Sequence, residues 1–323
     1  MRVGIYGYGN LGRGVELALK HNPDMELVGI FTRRNPSAIR TATMAAVHGA
    51  DRVEDFAEDI DVMLLCGGSA TDLPKITPRM ARMFNVVDSF DTHAHIPEHF
   101  EKVNAAAVET EHTALISGGW DPGLFSLARL YMNAALPAGK DYTFWGRGVS
   151  QGHSDAIRRI PGVKDARQYT VPIQEAVNRV LAGENPELTV RQKHLRECYV
   201  VAEEGADQEQ IAQAIRTMPD YFADYDTSVT FITEEEMKRD HSQLPHGGQV
   251  IRSGETDGDH RHVMSFSLKL DSNPEFTGSV LLACARAVQR AYERKRYGCM
   301  TLFDVPLADL SPLSGEELRA HLL

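Results

Sequence analysis

The densest groups capable of chemistry lie in the middle of the chain. VVDSFDTH (86–93) sets Asp88 and Asp91 at what reads as a strand end, where open α/β sheets bind ligands. SGGWDPGLFS (117–126) offers Trp120 and Asp121 ahead of a helix. Pro122 biases Asp121 towards extended backbone, so its carboxylate is either a ligand group or a helix cap. FWGRGVSQGHSDAIRRIPGV (144–163) joins an aromatic pair to Ser150, Gln151, Gly152, His153, Ser154 and Asp155, of which the last two also read as caps. Acids and an imidazole are the groups of general acid–base chemistry, and core packing does not explain so many of them together.

A second chemistry is written at the start. RVGIYGYGNLGRGVELALK places Gly7, Gly9 and Gly12 directly after a strand and at the opening of a helix. In that context the first glycine permits the tight turn, the second lets backbone approach a pyrophosphate, and the third lets helix and strand pack closely. The helix N-terminus adds free N–H groups and a positive dipole end. About 20 residues further on, an NAD site expects an acid for the ribose hydroxyl; here GIFTRRN supplies Thr32, Arg33 and Arg34. A guanidinium matches a phosphate dianion in charge and fork geometry, and a carboxylate there repels it. The expected cofactor is therefore NADP. The small residues of CGGSATD (66–72) suit a loop running under the cofactor, and Cys66 has no adjacent base that would make it a nucleophile.

These groups need a scaffold of two domains, which 323 residues can supply. The apolar runs RVGIY, MELVGIF, DVMLLC, NVVDSF and TALISG alternate with helical patterns, two of them at Leu11–Lys20 and from Pro97 to about His112. This predicts an α/β fold with a Rossmann-type, doubly wound parallel sheet. After about Gly118 the strands lengthen and alternate in polarity. In HVMSFSLKL, Met264, Phe266, Leu268 and Leu270 share one face, with Val263, Ser265, Ser267 and Lys269 on the other. RQYTVP, CYVVAE and TSVTFIT read likewise, predicting a second, α+β domain whose sheet has one wet face. Phe276, Val280, Cys284, Val288 and Tyr292 recur every four residues, marking a helix over 275–297 able to return to the first domain. The boundaries expected are 1–118 with 273–297 for the cofactor domain, and 119–272 with 298–323 for a substrate-binding and dimerisation domain.

Composition excludes several classes. A net charge of −11 argues against general affinity for nucleic acid or anionic membrane. No run approaches the roughly 18 apolar residues of a membrane span. The scattered Cys66, Cys198, Cys284 and Cys299 form no CxxC pair and read as reduced thiols of a cytoplasmic protein. The chain opens on a strand with no basic-then-apolar leader. His93 with His95, and His260 with His262, make two HxH pairs without a third ligand; no metal is expected.

GYGNLG, SATD, GWDPG, FWGRGVSQGHSDAIRRIPGV, QYTVP, RTMPDYF and LPHGG together resemble the meso-diaminopimelate D-dehydrogenases, from about Arg2 to Tyr297. Gly67, where that family commonly has methionine, and Arg147, where it commonly has proline, depart from the pattern. The resemblance implies a homodimer whose substrate domain closes on the cofactor domain. It implies reversible, NADP-linked deamination of the D-centre of meso-2,6-diaminopimelate to L-2-amino-6-oxopimelate and ammonia, in lysine biosynthesis. Carried over by position, NADP meets Gly7, Tyr8, Gly9, Asn10, Leu11, Gly12, Thr32, Arg33, Arg34, Cys66, Gly67, Ser69, Ala70, Thr71 and Asp91. The reacting amino-acid end meets Asp91, Asp121, Gln151 and Gly152, beside a wall of Trp120 and Phe144. The distal end meets Thr170, Arg196, His246 and Asn273. Carboxylates suit an ammonium or a developing iminium, and an arginine suits the far carboxylate. Asp121, directly or through water, and His153 are both open as acceptor of the amine proton, with a structural helix-start role equally open for His153. A reductase of cyclic dihydrodipicolinate, or an NADP-binding protein without catalysis, are the alternatives. The first lacks its basic substrate motif here, and the second has little use for both Asp121 and Arg196.

Overall fold

The computed structural model describes residues 1–323, which form two compact units, Met1–Leu127 with Pro274–Leu323, and Ala128–Asn273. The first begins with β1 (Arg2–Tyr6), α1 (Asn10–Leu19), β2 (Glu26–Thr32), β3 (Val47–Gly49), β4 (Val62–Leu65), α2 (Leu73–Met80), β5 (Asn85–Asp88), α3 (Ile96–Glu109) and β6 (Thr113–Leu115). Helix α4 (Leu124–Ala135) leads into the second unit: β7 (Gly139–Trp145), β8 (Gly148–Val149), α5 (Gln151–Arg158), β9 (Val163–Pro172), α6 (Gln174–Leu181), α7 (Val190–Lys193), β10 (His194–Ala202), α8 (Gln208–Arg216), β11 (Asp226–Phe231), α9 (Glu234–Asp240), β12 (His246–Asp257) and β13 (His260–Leu270). The chain then returns through α10 (Asn273–Glu293), β14 (Gly298–Met300) and α11 (Gly315–Leu322).

The first unit is built on a seven-stranded sheet, ordered β14-β6-β5-β4-β1-β2-β3, with every pairing parallel. Its central strand β4 is apolar throughout because both faces are covered: all four of its residues are buried, as are all four of β5. Alternate side chains feed two cores. Val3, Ile5 and Leu64 enter one, and Tyr6, Met63 and Leu65 the other. Helix α10 sends Leu281, Leu282, Ala285 and Val288 into the same core as Val15 of α1. The two helices meet backbone to backbone. A β-carbon on Gly14 would lie 2.3 Å from the Pro274 carbonyl oxygen, and one on Gly278 would lie 2.6 Å from the Val15 nitrogen.

Two expected boundaries are corrected. Residues 298–323, expected with the second domain, belong to the first unit: β14 pairs in parallel with β6, and Met300, Leu302 and Val305 join its core. A three-residue strand, GCM, carries no periodicity from which this could be read. The first division falls after Leu127 rather than Gly118. Gly118 N donates to Asp88 O at 2.8 Å and Leu124 N to Gly119 O at 3.1 Å, which ties the GGWDPG turn to the first sheet.

The second unit holds two small sheets, β11-β10-β9-β8 and β13-β12-β7. β9–β10 and β8–β9 pair antiparallel, whereas β10–β11 is parallel. Helices α5 and α8 cover the first sheet through Ile157, Ile211 and Ile215 against Ala166, Cys198 and Val200. Helix α6 packs Val177 and Val180 on Tyr142, Phe144 and Ile251. Val263, Ser265, Ser267 and Lys269 do form a wet face on β13, but Phe266, expected inside, is 38% exposed. No helix is long and apolar enough to cross a membrane, and all four cysteines are free.

Candidate active site

The sheet order reverses at β1, with β2 on one side and β4 on the other, the crevice position where such folds bind dinucleotides. The glycines occupy the geometry their spacing predicts. Gly7 has φ +96°, and its amide donates to Phe31 O at 2.8 Å, turning the chain off β1. A β-carbon on Gly12 would come within 2.2 Å of Gly7 O, so only glycine lets α1 sit this close to the turn. A β-carbon on Gly9 would meet nothing within 4 Å, leaving that approach open. Tyr8 is fixed on both ends: its hydroxyl donates to buried Glu16, and its carbonyl accepts from the Arg34 guanidinium. Glu16 also accepts from Ala42 N at 2.9 Å and Thr43 N at 2.7 Å, which holds the 40–43 segment against α1. Burial and the Glu16 carboxylate push the Tyr8 phenol up to about 12.

The turn after β2 presents both arginines. Thr32 is buried, and its hydroxyl accepts from Arg34 N at 3.1 Å, so it shapes the turn. Arg33 Nη2 lies 2.8 Å from Asp72 Oδ1, with 64% of its side chain exposed. Asp72 Oδ2 in turn accepts from Gly68 N at 3.1 Å, linking the arginine turn to the CGGSATD loop. These residues fit a phosphorylated dinucleotide: a cradle that a β-carbon would fill, flanked by two cations on a surface turn. Cys66 is buried at the end of β4, and burial pushes its thiol up to about 12, removing any nucleophilic role.

At the ends of β5 and β6 the sequence expectations separate. Asp88 is fully buried and is no ligand group, whereas Asp91 is exposed. Ser69 Oγ accepts from Asp91 N at 2.8 Å and from Thr92 N at 3.1 Å, fixing the loop that carries Asp91. Trp120 packs edge-on to Phe125 at 5.2 Å, and Phe125 N donates to Trp120 O at 2.8 Å. The partly buried Asp121 follows Trp120, its peptide to Pro122 being cis.

In the second unit the distal residues form a contiguous group. The register of β9 and β10 sets Thr170 opposite Arg196, and the Arg196 guanidinium donates to Thr170 Oγ1. β8 places Gly148 opposite Thr170, and a β-carbon on Gly148 would come within 2.6 Å of the His246 ring. Asn273 N donates to Leu244 O at 3.0 Å, two residues before His246. Arg196 is only 8% exposed, has no carboxylate within ion-pair distance, and stacks 4.0 Å above the Tyr225 ring. Burial lowers its basicity, with the tyrosine opposing that shift. A buried guanidinium without an acid costs free energy until an anion arrives. Phe144 and His246 also line a cavity of about 420 Å³ that neither Thr170 nor Arg196 borders. Gln151 and Gly152 open α5 after its cap, Ser150.

The structure narrows the role of His153. Its Nδ1 lies 2.7 Å from Ser150 Oγ, and its ring packs edge-on to Tyr221 and Phe222. Burial first, then the Arg196 charge, lowers the imidazole to about 4. With Nδ1 engaged by Ser150 and the ring packed on two aromatics, the helix-start role is the one this geometry favours. Sequence reasoning missed His194 and Tyr225. His194 is buried and accepts from Trp145 N at 2.9 Å through Nε2, bracing the strand that carries Phe144. Nothing local marks either residue, since both act on partners some 30 to 50 positions away.

Comparisons with known proteins place the chain among relatives that it matches from end to end. Residues 119–272 match the model of the diaminopimelic acid dehydrogenase C-terminal domain. The meso-diaminopimelate D-dehydrogenase of Ureibacillus thermosphaericus is 58% identical over 100% of this chain and 99% of its own. The solved structure of C. glutamicum DAP dehydrogenase in complex with DAP is 46% identical, covers 100% and 99% of the two chains, and superposes with a TM-score of 0.93. An engineered D-amino acid dehydrogenase bound to NADP+ is 44% identical with the same coverage and a TM-score of 0.88.

Proposed function

Because the chain belongs to the meso-diaminopimelate D-dehydrogenase family, we propose that it oxidatively deaminates the D-centre of meso-2,6-diaminopimelate with NADP. Water is consumed, and L-2-amino-6-oxopimelate, ammonia and NADPH are formed; the reverse is reductive amination. The observation that carries the substrate is Arg196, a buried guanidinium without an acid, braced by Thr170 and Tyr225. A bidentate pair with the distal carboxylate satisfies it, while His246, Thr170 and Asn273 fix orientation. Holding the far end selects which of the two amino-acid ends, alike except in configuration, reacts.

The cofactor supplies the hydride acceptor at its nicotinamide. Gly7, Gly9 and Gly12 cradle its pyrophosphate, and Arg33 and Arg34 hold the 2′-phosphate. Asp91 and Asp121 attract the reacting ammonium, with Gln151 and Gly152 orienting its carboxylate and Trp120 and Phe144 walling the centre. The amine must lose a proton before its carbon can lose hydride; we assign acceptance to Asp121, directly or through water. As positive charge builds on the carbon–nitrogen bond, both carboxylates stabilise it.

We infer a cytoplasmic homodimer. The support within this chain is β13, an edge strand with Val263 and Phe266 both more than a third exposed, and natural sheets seldom leave such edges uncovered. Sedimentation of a monomer at micromolar concentration would remove that part of the reading. The central test is NADPH formation with meso-, L,L- and D,D-diaminopimelate. Turnover is expected with the meso isomer and little with L,L; no NADPH from the meso isomer refutes the function.

A further inference from the structure

We infer that Asp88 is a positioning residue for this reaction: buried and out of reach of any ligand, its carboxylate fixes the two chain segments that carry Asp91 and Asp121. The inference rests on the roles proposed for those two acids. Asp88 is the last residue of β5 and has no exposed surface. Its Oδ1 accepts from Phe90 N at 3.0 Å and Ser117 N at 2.9 Å; its Oδ2 accepts from Thr77 Oγ1 at 2.8 Å and His99 Nε2 at 2.7 Å. Its carbonyl accepts a fifth bond, from Gly118 N at 2.8 Å.

Those donors come from four separate places. Thr77 is on α2 and His99 on α3, while Phe90 immediately precedes Asp91 and Ser117 opens the turn leading to Trp120 and Asp121. One carboxylate oxygen thus accepts from both functional segments, and the other is held by two helices. Ser117 sits at φ +58°, a conformation that non-glycine residues avoid unless their surroundings impose it. The bond from its own amide to Asp88 is such an imposition. His99 stacks on Phe90 with ring centroids 4.2 Å apart, so the same histidine holds the ring beside Asp91.

The donor set suits a fixed anchor. His99 Nδ1 is buried and has no partner. With Nε2–H facing the carboxylate, Nδ1 holds only a lone pair, and orphaning that is less costly than orphaning an N–H. Asp88 then receives four donors from fixed positions. An anchor that sets where two acids sit, within the fraction of an ångström that hydride transfer tolerates, fits it.

The test is Asp88→Asn in the full-length enzyme. The amide oxygen still accepts from Phe90 and Ser117, but the NH2 group is received only if Thr77 turns its hydroxyl and His99 moves its proton to the buried, partnerless Nδ1, so the hold on α2 and α3 is weakened. With rates normalised to NADPH-binding sites, kcat for meso-diaminopimelate is expected to fall on the order of 10- to 100-fold, while the dissociation constant of NADPH stays within about twofold. A residue that merely stabilises the fold lowers the melting temperature and the active fraction but not this normalised kcat. Because Asp88 acts through Asp121 and Asp91, Asp88→Asn adds little to Asp121→Asn in the double variant. A normalised kcat equal to wild type, or fully multiplicative losses, overturns the inference. If Asp88→Asn does not fold, His99→Gln and His99→Leu replace it. Glutamine keeps a donor to Asp88 and should retain most of kcat, leucine should not, and equal losses overturn the inference. Wild-type turnover run alongside separates the two levels: its absence refutes the function, whereas an unaffected Asp88→Asn refutes only the anchor.

Discussion

The two arginines after β2 should be separable by mutation, although the sequence presents them as one pair. Arg33 meets only Asp72, and with 64% of its side chain exposed that ion pair is worth at most about 1 kcal/mol. It is readily exchanged for the 2′-phosphate. Arg33→Ala therefore removes a charge-assisted contact to a group that NADP has and NAD lacks, worth about 1.5–3 kcal/mol. The dissociation constant for NADP should rise roughly 10- to 150-fold, and that for NAD less than about twofold. Arg34 differs because its guanidinium donates to the Tyr8 carbonyl inside the glycine loop. Arg34→Ala loses the phosphate contact and also a hydrogen bond to a neutral acceptor that holds the cradle, about 1 kcal/mol. It should weaken NAD as well, by about fivefold, on top of the selective loss for NADP. Fluorescence titration of each variant with NADPH and NADH reads both effects. Equal weakening of both cofactors in Arg33→Ala refutes the phosphate clamp. Unchanged NADH affinity in Arg34→Ala refutes the loop contact while leaving the clamp standing.

The site makes two further demands. His153→Gln should keep kcat within about threefold, because its Nδ1 is engaged by Ser150 and its ring is packed against Tyr221 and Phe222; Asp121→Asn should lower kcat by 100-fold or more, and the reverse ranking in steady-state assays exchanges their roles. His194 predicts a pH effect on stability. Burial lowers its ring to about 4 from the ordinary 6.5, so between those values the folded chain binds fewer protons than the unfolded one. Its contribution is in place above pH 6.5 and is lost as pH falls, by about 2 kcal/mol between pH 7 and 5 at about 1.4 kcal/mol per unit. Denaturant unfolding at both pH values should show a steeper loss for wild type than for His194→Gln, whose amide oxygen can still accept from Trp145 N; parallel losses refute the assignment.

What could be read from the sequence follows the range of the interactions. The glycine loop was legible because Gly7, Gly9 and Gly12 answer to one turn and one helix start, and φ +96° at Gly7 is a local consequence. The seven-stranded sheet was legible because strands buried on both faces must be apolar throughout, as VMLL of β4 shows. The short β14 was not, since three residues carry no period, and its place beside β6 is decided by α3 and by Met300, Leu302 and Val305 in the core. The candidate acids could be read as types but not as roles. Asp88 and Asp91 stand three positions apart at the same strand end, yet one accepts four buried donors and the other faces solvent. Burial makes that difference, and burial of Asp88 depends on Thr77 and His99, each 11 residues away on either side. The same holds for Arg196, whose meaning comes from Tyr225 beneath it and from the lack of any acid beside it. Residue type sets what chemistry is possible; partners distant in the chain decide which of the eligible residues meets the ligand and which holds another in place.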